Sequence, residues 1–201
     1  AILRPGPIEV VAIAASTGGP PALQAILTSL PGDFPAGIVI AQHMPSGFTR
    51  SFAERLNKIC ALPVSEATGG ERVRPGMALI APGGHHLSLR RDPRGLIADI
   101  VPRSQTEKYV PSADRLMTSV AEVCGPAALG VVLTGMGNDG AEGAAAIREK
   151  GGRCLAESEE SAVIFGMPQE AIRRGGVDKV LPLERMAPEI LRRCSTRAEA
   201  S

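Results

Sequence analysis

The chain has 201 residues, enough for one compact domain with its own core. Its 44% hydrophobic and 21% charged residues are ordinary for a globular protein, and a net charge of +1 leaves no basic footprint for DNA or RNA. With 2% aromatic residues, no Trp and the single tyrosine Tyr109, it lacks the rings that stacking binders of single-stranded nucleic acid use, and its core must be aliphatic.

The opening Ala1-Ile2-Leu3-Arg4-Pro5-Gly6-Pro7 lacks the charged-then-apolar order of a secretory signal. It reads as the end of a linker, so 1–8 is expected to be an interdomain remnant, 9–194 the folded domain, and the small polar 195–201 a disordered tail. No apolar run reaches the roughly 18–20 residues that cross a bilayer, so no membrane insertion is expected. Cys60, Cys124, Cys154 and Cys194 form no C-x-x-C pair and are expected to be reduced thiols in a cytoplasmic protein.

Val10–Ala14 is a short β-branched apolar run, which predicts a buried strand. Ser16-Thr17-Gly18-Gly19-Pro20 follows as a turn, then a helix over Pro21–Leu30. Gly37–Ala41 predicts a second buried strand, Gln42-His43-Met44-Pro45 a turn, and Phe48, Phe52, Leu56 and Ile59 mark a helix by spacing near 3.6. Residues 63–101 are cut by Pro75-Gly76, Pro82-Gly83-Gly84 and Asp92-Pro93-Arg94-Gly95, and predict antiparallel β structure with a hairpin from His86–Leu89 to Leu96–Val101. Then come a helix over 112–124, a strand over Leu129–Leu133, a turn Thr134–Gly140 opening a helix to Lys150, and a strand near Arg153–Ala156. A helix near Gln169–Arg174, a strand Lys179–Leu181 and a helix Glu184–Arg193 close the pattern. Buried strands alternating with helices predict an α/β, doubly wound, mainly parallel sheet flanked by helices, with an antiparallel β-hairpin insertion.

In such a fold ligands sit outside the carboxyl ends of the strands. Three of those ends carry reactive side chains: Ser16 two residues after Ala14, His43 two residues after Ala41, and Asp139 in the turn after Leu133. A serine hydroxyl attacks well only when a base takes its proton, and a histidine held by a carboxylate is such a base. Backbone N–H groups near Thr17, at the helix start, and in the Gly135-Met136-Gly137 turn can hold an oxyanion. Each element has a plainer reading: Ser16–Pro20 as a phosphate loop, His43 as a structural imidazole, Asn138-Asp139-Gly140 as a helix start. His85 and His86 point to opposite faces of a strand, and with no paired ligand motif no metal or cofactor is expected. Glu157, Glu159 and Glu160 read as solvated, and Met44, Met117, Met136 and Met167 as packing residues.

Three motifs now stand together: Ala15-Ser16-Thr17-Gly18-Gly19-Pro20, Gln42-His43-Met44-Pro45 with Gly47-Phe48-Thr49, and Leu133-Thr134-Gly135-Met136-Gly137-Asn138-Asp139-Gly140. With Ala81-Pro82-Gly83, Pro111-Ser112 with Asp114, and Phe165-Gly166-Met167-Pro168, they resemble the signatures of the CheB chemotaxis methylesterases over residues 9–190. The resemblance implies a serine hydrolase with Ser16 as nucleophile, His43 as base and Asp139 as orienting carboxylate, and Met136 N–H as an oxyanion donor. It implies demethylation of glutamate methyl esters on the cytoplasmic helices of methyl-accepting chemoreceptors, with deamidation of receptor glutamines. It also implies an N-terminal receiver domain, not part of this chain, through which a chemotaxis histidine kinase acts. The same chemistry in a chemosensory pathway for pili or biofilm, and a nucleotide-binding regulatory domain, remain alternatives. The sequence departs from the family's pattern at Ala15, often Gly; at Tyr109-Val110, often His-Arg; at Gly84, frequently Asp; and at Glu157, often Gln.

Overall fold

The computed structural model describes residues 6–195. Of the expected linker 1–8 and tail 195–201, residues 1–5 and 196–201 lie outside the described residues. The elements are β1 (Val10–Ala15), α1 (Gly19–Leu27), β2 (Gly37–Gln42), α2 (Phe48–Ile59), β3 (Val64–Glu66), β4 (Arg72–Val73), β5 (Ala78–Ile80), β6 (His85–Asp92) and β7 (Gly95–Pro102). They continue as α3 (Ala113–Cys124), a short 3-10 turn, β8 (Ala128–Val132), α4 (Ala141–Glu149), β9 (Arg153–Glu157), α5 (Gly166–Arg173), β10 (Lys179–Leu181) and α6 (Leu183–Cys194).

Seven strands form one parallel sheet in the order β10-β9-β8-β1-β2-β5-β3. The expected doubly wound fold is therefore present, and the order reverses at β1, between β2 and β8. Such a reversal opens a crevice beyond the carboxyl ends of the neighbouring strands. Buried on both faces, β1 and β2 can be apolar without alternation. Val11, Ile13, Ile38 and Ile40 pack on α1, α2 and α6; Val10, Ala12, Val39 and Ala41 pack on α3, α4 and α5. Phe34 is fully buried, but the core is otherwise almost wholly aliphatic.

The expected hairpin is β6–β7, paired from His85↔Pro102 to Asp92↔Gly95, and β4 joins it as a three-stranded antiparallel sheet. Leu87, Leu89, Leu96 and Ala98 bury it against α3. One expectation over 63–101 is corrected. β3 and β5 are not antiparallel; each pairs in parallel and together they extend the main sheet beyond β2. Three-residue strands between Pro-Gly turns carry too little pattern to reveal their partner, which burial on both faces of β5 decides.

This placement is testable through Leu79, fully buried on β5. Leu79→Ala should lower the free energy of unfolding by about 2–5 kcal/mol, read from the shift in urea midpoint at unchanged slope. A loss well under ~1 kcal/mol would mean that β5 lies outside the core.

Candidate active site

Parallel register brings the first two residues together. Ala15 pairs with Gln42 and His43 N–H donates to Ala15 O at 3.1 Å, so Ser16 and His43 follow as the next pair beyond the strands. Side chains alternate across a sheet. Ala15 and Gln42 face the α1 side, where the Gln42 carboxamide lies against Ala15 and Gly19. Ser16 and His43 therefore leave on the opposite side, toward α3 and α4.

Asp139 meets His43 there, with 2.6 Å between Oδ2 and His43 Nε2. The carboxylate is 1% exposed and also accepts from Ala113 N–H at 2.7 Å, Asp114 N–H at 2.8 Å and Ser112 Oγ–H at 3.2 Å. Those donors are the opening of α3, whose first N–H groups have no partner within the helix. The gift is returned: Asp114 Oδ1 accepts from Gly140 N–H at 2.9 Å and Gly143 N–H at 2.8 Å, at the opening of α4. The start of α3 is thus held by an aspartate from the turn before α4, and the start of α4 by an aspartate of α3.

Burial opposes ionisation of both carboxyls. For Asp139 the bonds from His43 and from the Asp114 and Ala113 N–H groups outweigh it, and the group is held below its ordinary value. For Asp114 burial wins despite the Gly143 N–H and, with the neighbouring Asp139 charge, pushes it up to about 6. An ionised Asp139 can only accept, so His43 Nε2 carries the hydrogen and Nδ1 is the free basic nitrogen. Ser16 Oγ has no hydrogen-bond partner among the described residues, and none links it to His43. Catalytic bonds of this kind often tighten only when substrate is bound.

The turn after β8 lies alongside. Ser16 N–H donates to Thr134 O at 3.0 Å, and a side chain on Gly135 would collide with the Ser16 Cβ and with Met167. Gly135 is strapped on both sides, its N–H to Ile164 O and its O from Met167 N–H, each at 2.9 Å. Gly137, at φ 95°, turns the chain back where only glycine is comfortable. The N–H groups of Met136 and Thr17, the two expected oxyanion donors, have no protein acceptor among the described residues.

Several expectations are corrected. The Met136 side chain is 63% exposed, so it does not pack in the core as Met117 and Met167 do. Glu157 is not solvated: it is 1% exposed, accepts Thr134 N–H at 2.9 Å and accepts Ser161 Oγ–H at 2.8 Å. Ser112, whose Pro-Ser-x-Asp context is a helix-start signal and carried part of the family resemblance, bonds Asp139, and Tyr109, a departure from the family's pattern, stacks on His43; the sequence foretold neither contact. Gln42 Nε2–H donates to Ser16 O at 2.9 Å and so fixes the turn at Ser16 from beneath. His85 is exposed and His86 buried, on opposite faces as expected. Among the described residues no group of three or more His, Cys, Asp or Glu is placed to hold a metal.

With this geometry in view, comparison with known proteins is informative. A family model described as CheB methylesterase matches residues 11–190. The chain is 58% identical over 189 residues to protein-glutamate methylesterase/protein-glutamine glutaminase 3 of Geobacter sulfurreducens, covering 94% of this chain and 51% of that protein. It is 51% identical over 189 residues to the protein of that name, without a number, from Moorella thermoacetica, covering 94% and 44%. The crystal structure of the Thermotoga maritima CheB methylesterase catalytic domain is similar with a TM-score of 0.89 and 39% identity, over 92% of this chain and 98% of that one. The chain spans about half the length of the curated relatives it matches.

The paired aspartates make a prediction. Between the ordinary 3.8 of Asp114 and its raised value of about 6, the folded state keeps a proton that the unfolded chain has released. Its contribution to stability therefore falls as pH rises through that window. Asp114→Asn keeps the Oδ1 acceptor but has no proton to lose. Its urea midpoint relative to wild type should climb between about pH 4 and pH 6.5; an offset that stays constant would refute the assignment.

Proposed function

This chain belongs to the CheB methylesterase family, and we propose that it hydrolyses glutamate methyl esters on the cytoplasmic helices of chemoreceptors, with Ser16, His43 and Asp139 as its triad. The observation that carries the reading is the His43–Asp139 bond of 2.6 Å, made at the carboxyl ends of the central strands, where Ser16 follows β1. The relatives' names supply the substrate class: protein glutamate methyl esters and protein glutamine.

In this reading Ser16 Oγ attacks the ester carbonyl while His43 Nδ1 takes the hydroxyl proton. Asp139 holds the ring by Nε2–H and stabilises the imidazolium that forms. The N–H groups of Met136 and Thr17 receive the negative oxygen of the tetrahedral intermediate; losing one such donor typically costs roughly 10²–10³ in rate. As the intermediate collapses, the C–O bond breaks and methanol leaves with the proton from His43. Water then attacks the acyl-serine with His43 again as base, giving glutamate and free Ser16. A receptor glutamine would follow the same course with ammonia as the leaving group. A receiver domain elsewhere in the full protein, addressed by a chemotaxis kinase, would control access to this site. Residues 9–194 are the catalytic unit in this scheme.

The test is methanol release from a purified receptor fragment bearing radiolabelled glutamate methyl esters. Ser16→Ala should keep the wild-type melting temperature and lose about 10⁴-fold or more in turnover. Near-normal turnover in that variant would falsify the assignment.

A further inference from the structure

We propose that Tyr109 is a positioning residue for His43: its ring fixes the plane of the imidazole and faces the positive charge that develops there during each proton transfer. This rests on the triad reading above and goes beyond it. The two rings lie 4.8 Å apart between centroids and 8° from parallel. Asp139 grips His43 only at Nε2, which leaves the ring free to swing about that bond. A flat partner against its face removes the swing and keeps Nδ1 aimed at the serine side. When His43 takes the Ser16 proton it becomes a cation, and a phenol face attracts a cation. That attraction is greater in the transition state than in the resting enzyme, so it acts on turnover more than on binding.

The opposite edge of the ring engages the oxyanion turn. A side chain on Gly137 would collide with the Tyr109 hydroxyl, so that hydroxyl rests directly on the Gly137 backbone, one residue from Met136. Tyr109 thereby spans the base and the turn that carries a proposed oxyanion donor.

The segment that delivers Tyr109 is clamped at both ends by one buried imidazole. Ser112 N–H donates to His86 Nδ1 at 3.0 Å, so the hydrogen of His86 sits on Nε2 and is donated to Glu107 at 2.9 Å. Glu107 also accepts Ser104 N–H at 2.7 Å and pairs with Arg115 at 2.8 Å. These bonds hold the Glu107 carboxyl down to about 2, so it is ionised throughout the working range. The six residues from Glu107 to Ser112 thus form a short strap with Tyr109 near its middle. Lys108 Nζ stands 5.1 Å from the same phenol ring.

The experiment compares wild type, Tyr109→Phe, Tyr109→Leu, Glu107→Gln and Ser16→Ala. Methanol release from the methylated receptor fragment gives kcat and KM, and labelling of Ser16 by a fluorophosphonate reports nucleophile activation without the receptor. Tyr109→Leu should lose roughly 10- to 100-fold in kcat and in labelling rate, with KM within about threefold of wild type. Tyr109→Phe keeps the ring and should restore most of the rate. Glu107→Gln should slow the wild-type protein but add little to Tyr109→Leu, because both act through one side chain. Wild-type kcat in Tyr109→Leu, or a loss confined to KM, would overturn the inference. Activity surviving in Ser16→Ala would instead overturn the triad reading, whatever Tyr109 does.

Discussion

A carboxylate that is 1% exposed stays charged only if donors surround it, and the arrangement of this site follows from how Asp139 meets that demand. Three of its four donors are Ser112, Ala113 and Asp114 at the start of α3; the fourth is His43. The helix dipole favours a negative charge at that end. The location of α3 therefore dictates where the imidazole stands. α3 is in turn held by Asp114, which closes the first turn of α4. The exchange fixes two helices and one side chain with a single pair of acids. Its cost falls on Asp114, whose ionised form is opposed by burial and by its neighbour. Breaking either half would strand N–H groups at a buried helix start, which explains how two like charges can remain side by side.

Around that anchor the site is shaped by backbone more than by side chains. Parallel pairing of β1 and β2 makes Ser16 and His43 neighbours without a hydrogen bond between them. The turn after β8 comes close to Ser16 because Gly135 has no side chain there to obstruct it. Buried polar groups beneath the turns serve main-chain atoms: Gln42 holds the Ser16 carbonyl, and Glu157 the Thr134 N–H. Each compels a loop into one path, which is what a preorganised oxyanion site requires.

Much of this was legible in the sequence because it follows from local rules. Continuous β-branched runs such as Val10–Ala14 marked buried parallel strands, and position relative to their ends singled out Ser16, His43 and Asp139. Long-range partners were not legible. β3 and β5 are too short to announce that they belong to the main sheet, and their place is decided by burial against distant residues. Glu157 looked like one acid in a solvated run; only the fold reveals the N–H and the hydroxyl that bury it. Met136 looked apolar and was assigned to packing, but the turn after β8 leaves its side chain exposed. Tyr109 stood out only as a departure from the family's pattern, because stacking on His43 depends on a loop closed by His86, whose own role is visible only in three dimensions.

Tyr109 and Glu157, where the chain departs from the family pattern, lie outside the proposed triad, one stacked on His43 and the other bonded to the Thr134 turn. That division has a physical basis. The backbone positions of Ser16 and His43 are set by strand register, and Asp139 is held by four donors, so exchanging it would break several bonds at once. The segments before α3 and after β9 are held by side-chain bonds to the domain, so one residue there can change while the anchor points remain. Exposed Met136, Phe48 and Val163 all follow the carboxyl ends of parallel strands. The bond from His43 to Asp139 and the aspartate exchange between α3 and α4 involve none of these exposed tips, so a change at a tip leaves those bonds in place.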